Sequence, residues 1–127
     1  MTGLLDTCTL LWFDREPNKL SPAARAFLAD PSNVILLSVA SAWEIVIKVP
    51  TGKLELAGPV EELVARQLAN DTRLLGISLD HVCRVGLLPS IHRDPFDRLL
   101  IAQALVEGAA VLTPDPLIRQ YPVPTVW

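Results

Sequence analysis

Five acidic residues, Asp6, Glu44, Asp94, Asp97 and Asp115, stand where carboxylates can do chemistry. Two of them open one segment, His92-Arg93-Asp94-Pro95-Phe96-Asp97-Arg98-Leu99-Leu100-Ile101-Ala102-Gln103-Ala104. Asp94 is placed as an N-cap, and Pro95 takes the first helical position, where its missing N–H costs nothing. Asp97 falls three residues after the cap, and an apolar run through Leu105-Val106 stops at Gly108. Read alone, this is a well-capped core helix whose acids complement its N-terminus. The other three acids change that reading, because a parallel sheet would bring them to the same edge. Carboxylates packed together repel, so each must take a proton or share a cation. No lysine adjoins Asp6 or Asp115 in the sequence to supply one. An all-oxygen donor set calls for a hard divalent cation, Mg²⁺ or Mn²⁺, rather than zinc. Such ions polarise phosphoryl oxygens and activate water, which is phosphoester chemistry.

Positioning these acids requires strands that end beside one another. Residues 2–6 form a short apolar run that ends in Asp6 and reads as a buried first strand. A helix follows over 7–13, with Leu10, Leu11 and Phe13 as core candidates, then a polar loop over 14–20. Ser21-Pro22 caps a helix over 23–29. Residues 34–38 are the clearest strand. Ser41-Ala42-Trp43-Glu44 then spells a capping box that opens a helix through Lys48 and puts Glu44 in its first turn. Gly58-Pro59 opens a helix over 60–69, with Leu63, Val64 and Leu68 on one side. Residues 73–77 read as a third strand. Asp80 caps a short helix through Val85, which makes His81 a surface or boundary residue. Residues 109–113 form a fourth strand, Asp115 lies two residues beyond it, and 124–127 is the last strand candidate. Strands alternating with helices predict an α/β domain with a mainly parallel sheet and helices on both faces. Ligands bind such sheets outside the carboxyl ends of the strands. Asp6, Glu44, Asp94, Asp97 and Asp115 all converge on that rim.

The length of 127 residues suits one domain with one core. Half the residues are hydrophobic and 20% are charged, which predicts a folded globular chain. No apolar run reaches the ~18 residues of a membrane span, and no secretory signal pattern is present. Cys8 and Cys83 belong to no CxxC motif, so a disulfide framework and a zinc site are disfavoured and a cytoplasmic setting is expected. Net charge is −3, from 14 acids against 11 Lys/Arg. With the five candidate site acids set aside, nine acids face 11 cations, so the remaining body is slightly basic and admits a phosphate-bearing substrate. No glycine-rich phosphate loop exists, which disfavours a nucleotide-dependent ATPase. His92 lies in the loop beside the acids, placed either to touch a substrate or to be solvated. Trp12, Trp43 and Trp127 read as core or interface aromatics.

Taken together, these segments resemble the PIN-domain ribonucleases, and more narrowly the VapC-type toxins of bacterial toxin–antitoxin pairs. The matching stretches are Leu4-Leu5-Asp6-Thr7 with Leu10-Leu11-Trp12, Ser41-Ala42-Trp43-Glu44-Ile45 with Lys48, and Gly52-Lys53-Leu54. The segment from His92 to Ala104, Leu112-Thr113-Pro114-Asp115 and the closing Val126-Trp127 complete them. The resemblance covers essentially the whole chain, as a single PIN domain over 1–127. It implies a three-layer α/β fold on a five-stranded parallel sheet in the order 3-2-1-4-5. It also implies Mg²⁺- or Mn²⁺-dependent endonucleolytic cleavage of RNA by metal-activated water. The family's acidic quartet falls on Asp6, Glu44, Asp97 and Asp115, with Asp94 an additional acid and Thr113 orienting ligands by hydrogen bonding. Asp6 and Asp97 would hold the principal metal, with Glu44 bound directly or through water. Asp115 would hold a second metal or orient the attacking water. Arg93, Arg98 and Lys48, all near the rim, are candidate phosphate contacts. One departure is Cys8, where close relatives often carry histidine. The resemblance further implies a small antitoxin partner encoded beside the chain, and unburied apolar helix surface points to a homodimer. Two other readings stand beside it. One is a non-cleaving PIN-like binding or regulatory module, in which Glu44 and Asp94 only start helices. The other is a Mg²⁺-dependent phosphatase-like enzyme with Asp6 as nucleophile, weakened because position 8 is cysteine rather than a second aspartate.

Overall fold

Short runs of apolar residues become strands here because a parallel strand is covered on both faces. The computed structural model describes residues 1–127. The strands are β1 (Thr2–Leu5), β2 (Val34–Ser38), β3 (Arg73–Leu75), β4 (Ala110–Leu112) and β5 (Thr125–Val126). They form one sheet in the order β3-β2-β1-β4-β5, with every pair parallel. This is the order that the PIN resemblance implies. β1 is therefore the middle strand, with Gly3 opposite Ile35 on one side and Ala110 on the other. A Cβ at Gly3 would stand 2.5 Å from the Phe27 ring, so the close approach of that ring requires glycine.

Six helices connect the strands: α1 (Thr7–Arg15), α2 (Pro22–Ala29), α3 (Val39–Lys48), α4 (Val60–Ala69), α5 (Leu79–Val85) and α6 (Pro95–Glu107). They cover two cores, because successive side chains on a strand point to opposite faces. Leu4 packs with Leu100, Ile101 and Val111, while Leu5 packs with Leu10, Leu37, Ile45 and Leu63. α6 is buried without interruption from Leu99 to Ala104, as expected of a helix that is apolar nearly all round. It ends at Gly108, whose φ of 66° is the left-handed C-cap conformation. No helix is long and apolar enough to cross a membrane.

Several local expectations give way to partners distant in sequence. α3 begins earlier than the capping-box pattern predicts, and its N-cap is Ser38, the last residue of β2. Ser38 Oγ accepts from the Ala40 N–H at 3.0 Å and donates to Gln103 Oε1 at 2.5 Å. Ser41 is thus inside the helix, and Glu44 lies in the second turn instead of closing a cap. The cap of α5 is Ser78 rather than Asp80, and His81 closes its capping box by accepting the Ser78 N–H on Nδ1 at 3.0 Å. His81 is only 2% exposed, a buried residue where a surface one was expected. Its Nε2 lies 3.2 Å from Glu107 Oε2, which satisfies the ring inside the fold. On α4, Leu63 and Gln67 are buried while Leu68 is exposed. The Gln67 amide donates to Asp14 at 3.3 Å, so a polar tie takes the inward position. The third strand stops at Leu75, two residues short of its predicted end, and the expected loop over 14–20 holds the end of α1 and a 3-10 turn over Pro17–Lys19.

Candidate functional site

Because β1 and β4 are parallel neighbours, their carboxyl ends lie side by side, and each is followed by an acid. Asp6 caps α1, its Oδ1 accepting from the Thr9 N–H at 2.7 Å. Its Oδ2 accepts from Thr113 Oγ1 at 2.5 Å, just past β4. The same Thr113 oxygen accepts from the Asp115 N–H at 3.0 Å, and Asp115 Oδ1 accepts from the Leu117 N–H at 2.8 Å. One hydroxyl thereby links the two strand ends. Glu44 reaches in from α3, its Oε1 accepting from Thr7 Oγ1 at 2.6 Å. Asp97 arrives from the first turn of α6.

Asp6, Glu44, Asp97 and Asp115 line one cavity of about 370 Å³, whose other walls are Thr7, Cys8, Leu11, Trp12, Leu54 and Pro114. Asp6 and Glu44 are buried, at 4% and 5% exposure. Asp97 and Asp115 are more open. Asp94 is outside the lining. Its Oδ1 accepts from the Phe96 and Asp97 N–H groups at 2.8 and 3.3 Å, and its Oδ2 accepts from Lys48 Nζ at 2.9 Å.

The charges are uneven across this cluster. Burial pushes the Asp6 carboxyl above its usual range, more than the hydrogen bonds from Thr113 and Thr9 pull it down. Burial, then the charges of Asp94 and Glu44, push Asp97 up to about 7. At Asp94 burial acts upward too, but the Lys48 hydrogen bond and the cap amides outweigh it and hold the group below its usual range. Burial acts to lower Lys48, yet its bonds to Glu44 and Asp94 raise it overall. Burial, then Asp6, push the Cys8 thiol up to about 11, so it stays protonated and unreactive at neutral pH.

His92 bridges the more open pair. Its Nε2 lies 2.9 Å from Asp115 Oδ2 and 3.1 Å from Asp97 Oδ2. Its Nδ1 accepts from the Asp94 N–H at 3.1 Å, which assigns the ring proton to Nε2. Atoms of His92, Asp97 and Asp115 lie within 4.8 Å of one another, a spacing that a metal ion could exploit. In this conformation, however, His92 offers an N–H to the two acids, not a lone pair. It acts as a clip between them.

Of the three expected phosphate contacts, Arg93 is exposed beside the α6 cap. Lys48 is paired with Glu44 and Asp94. The Arg98 guanidinium donates to Pro89 O at 2.9 Å, Val85 O at 3.2 Å and Tyr121 Oη at 3.2 Å, so it ties the preceding loop together instead of facing the rim. Thr7 is a partner of Glu44 that local sequence hardly marks. The only local signal is its place next to Asp6. Leu11 and Trp12 lie three and four residues after Cys8, so helical spacing alone puts these cavity walls on one face of α1. The donor chemistry fits a hard divalent ion: four carboxylates share one cavity, and no lysine or arginine pairs with Asp6, Asp97 or Asp115.

Comparison with known proteins places the chain in a family. The PIN domain family matches residues 3–123. Ribonuclease VapC22 of Mycobacterium tuberculosis (strain ATCC 25618 / H37Rv) is 32% identical over 130 residues, covering 99% of this chain and 98% of that protein. Among solved structures, the fold is similar to VapBC2 from Rickettsia felis bound to a DNA fragment from their promoter. That match has a TM-score of 0.70 at 14% identity and covers 98% of this chain and 97% of the other. VapBC-1 from nontypeable Haemophilus influenzae matches with a TM-score of 0.62 at 15% identity, covering 94% and 91%. FitAcB from Neisseria gonorrhoeae matches with a TM-score of 0.58 at 20% identity, covering 97% and 95%.

Proposed function

Because the chain belongs to the PIN-domain family, on its VapC branch, we propose that it is a metal-dependent endoribonuclease and the toxin of a toxin–antitoxin pair. The observation that carries this reading is the cavity holding Asp6, Glu44, Asp97 and Asp115 at the carboxyl edge of β1 and β4. Asp6, Asp97 and Asp115 would hold Mg²⁺ or Mn²⁺, with Glu44 contributing directly or through water. When bound, the ion supplies Lewis-acid activation of water and charge neutralisation at the phosphoryl group.

The chain's own residues do the rest. Thr113 and the Thr9 amide fix both Asp6 oxygens, so this buried acid cannot swing. Asp115, the most open of the four, orients the attacking water from the mouth of the cavity. His92 holds Asp115 beside Asp97 through one N–H. Leu11, Trp12 and Leu54 wall the cavity with apolar surface, which strengthens the interactions inside it. Arg93, exposed beside the α6 cap, would contact substrate phosphate without regard to sequence. The P–O bond to the 3′ oxygen breaks as water adds.

The relative named a ribonuclease supports the activity, and the structural neighbours named VapBC2, VapBC-1 and FitAcB support a small antitoxin partner. Val39, Trp43, Val46 and Ile47 form an exposed apolar stripe on α3 that would serve a homodimer. The test is cleavage of single-stranded or loop RNA by pure protein. Chelator should abolish it, Mg²⁺ or Mn²⁺ should restore it, and Asp97→Asn should lack it. In cells, Asp97→Asn should relieve the growth arrest caused by wild type. Cleavage that persists in excess chelator, or equal toxicity of wild type and mutant, overturns the reading.

A further inference from the structure

Lys48 is the lone lysine or arginine that pairs with the acids of this cluster. Its Nζ contacts Glu44 Oε2, one turn earlier on α3, and Asp94 Oδ2, 2.9 Å away at the cap of α6. Its side chain is 23% exposed, and Nζ lies 5.7 Å from the centre of the Phe96 ring. The other oxygens of both acids are also engaged. Glu44 Oε1 accepts from Thr7 Oγ1, and Asp94 Oδ1 accepts from two cap amides. Every carboxylate oxygen of Glu44 and Asp94 thus has a hydrogen-bond partner, and the two acids share a positive charge before any ion arrives. Asp6, Asp97 and Asp115 have no cationic residue among them, only hydroxyl, amide and imidazole N–H donors.

The acids therefore divide into a group that carries its own cation and a group that lacks one. We infer that Lys48 takes the place of a second metal ion: the site holds one divalent ion, at Asp6, Asp97 and Asp115, and Glu44 is not one of its direct ligands. This deepens the metal-dependent reading above and rests on it. A second divalent ion at Glu44 would sit within contact range of the ammonium, and like charges at that range repel strongly in a site partly closed to water. It would also have to strip Glu44 of the Thr7 and Lys48 bonds. The ammonium supplies one positive charge where a second ion would supply two, and it ties α3 to α6.

Titrating Mn²⁺ into the pure full-length protein decides this, with calorimetry and the electron paramagnetic resonance of free Mn²⁺ as readouts. Wild type should bind one ion per chain. Lys48→Met keeps the apolar stem against Phe96 but removes the charge, and it should bind two. Lys48→Arg should return to one. Asp97→Asn should weaken the single ion by about tenfold or more. Melting of each metal-free variant shows that it is folded. If Lys48→Met does not fold, wild type and Lys48→Arg still decide the count. Two ions on wild type, or one on Lys48→Met at unchanged affinity, overturn the inference and leave the metal-dependent reading standing. No ion on wild type overturns both.

Discussion

Asp97 is the residue on which the cluster's repulsion falls. Its carboxyl titrates near 7 in the fold, against about 3.9 for a free aspartate. Between those values the folded chain keeps a proton that the unfolded chain has released. Stability of the metal-free protein should therefore fall as pH rises through that window and level off above it. Asp6, also raised, contributes with the same sign, whereas Asp94, lowered, loses its contribution only as pH falls below the ordinary aspartate range. Asp97→Asn should flatten the decline and stabilise the metal-free protein at pH 8 by roughly 1–2 kcal/mol, a melting shift of about 5 °C. Melting curves in chelator from pH 5 to 8 check this, and a variant that melts below wild type at pH 8 contradicts it. At His92, ¹⁵N chemical shifts should show the proton on Nε2, and His92→Gln, which keeps an N–H donor, should retain more Mn²⁺ affinity than His92→Ala. The carboxylates were legible in the sequence because a cap, a proline and strand ends mark their places. The role of His92 was not, since it depends on an amide at Asp94 and on Asp115, which lies 23 residues away. The Glu44–Lys48 pair has ordinary helical spacing, but its link to Asp94 spans 46 residues and leaves no local trace.

Elements are legible where apolar runs or helical spacing recur, and less so where two capping residues compete. The stretch Ser38-Val39-Ala40-Ser41-Ala42-Trp43-Glu44 offers both serines as caps, and the second completes a familiar pattern. Gln103 decides for the first by accepting the Ser38 hydroxyl across the core. Ser38→Ala should remove a cap and orphan a buried amide oxygen, lowering stability by about 1–3 kcal/mol. Ser41→Ala should lower it by less than ~1 kcal/mol, because the Thr7 hydroxyl gives its proton to Glu44 and leaves Ser41 Oγ only a 3.1 Å contact with Thr7 Oγ1. Denaturant unfolding of the two variants gives the order, and the reverse order would restore the capping box at Ser41. At α5, too, two caps compete, Ser78 and Asp80, and His81 sides with Ser78. Histidine seldom closes a capping box, and its other partners, Gln103 and Glu107, come from a different helix.

For the molecule as a whole, the sheet order is legible through the family resemblance, because parallel strands this short carry no local mark of their neighbours. Mg²⁺ at ten times its dissociation constant should stabilise wild type by about 1.4 kcal/mol through mass action, a melting shift of roughly 5 °C. Asp6→Asn should show little of that shift and should melt no lower than wild type in chelator. A variant that melts well below wild type yet responds fully to Mg²⁺ would make Asp6 structural. The central place of β1 also bears on how the protein is made. Asp6 is synthesised before its partner Thr113, which lies 107 residues later. Until β4 emerges, one edge of β1 has no neighbour, and neither Thr113 nor Asp115 exists to complete the cavity. Contacts this distant in sequence form late. A chain whose synthesis has not reached Thr113 and Asp115 therefore lacks the completed cavity.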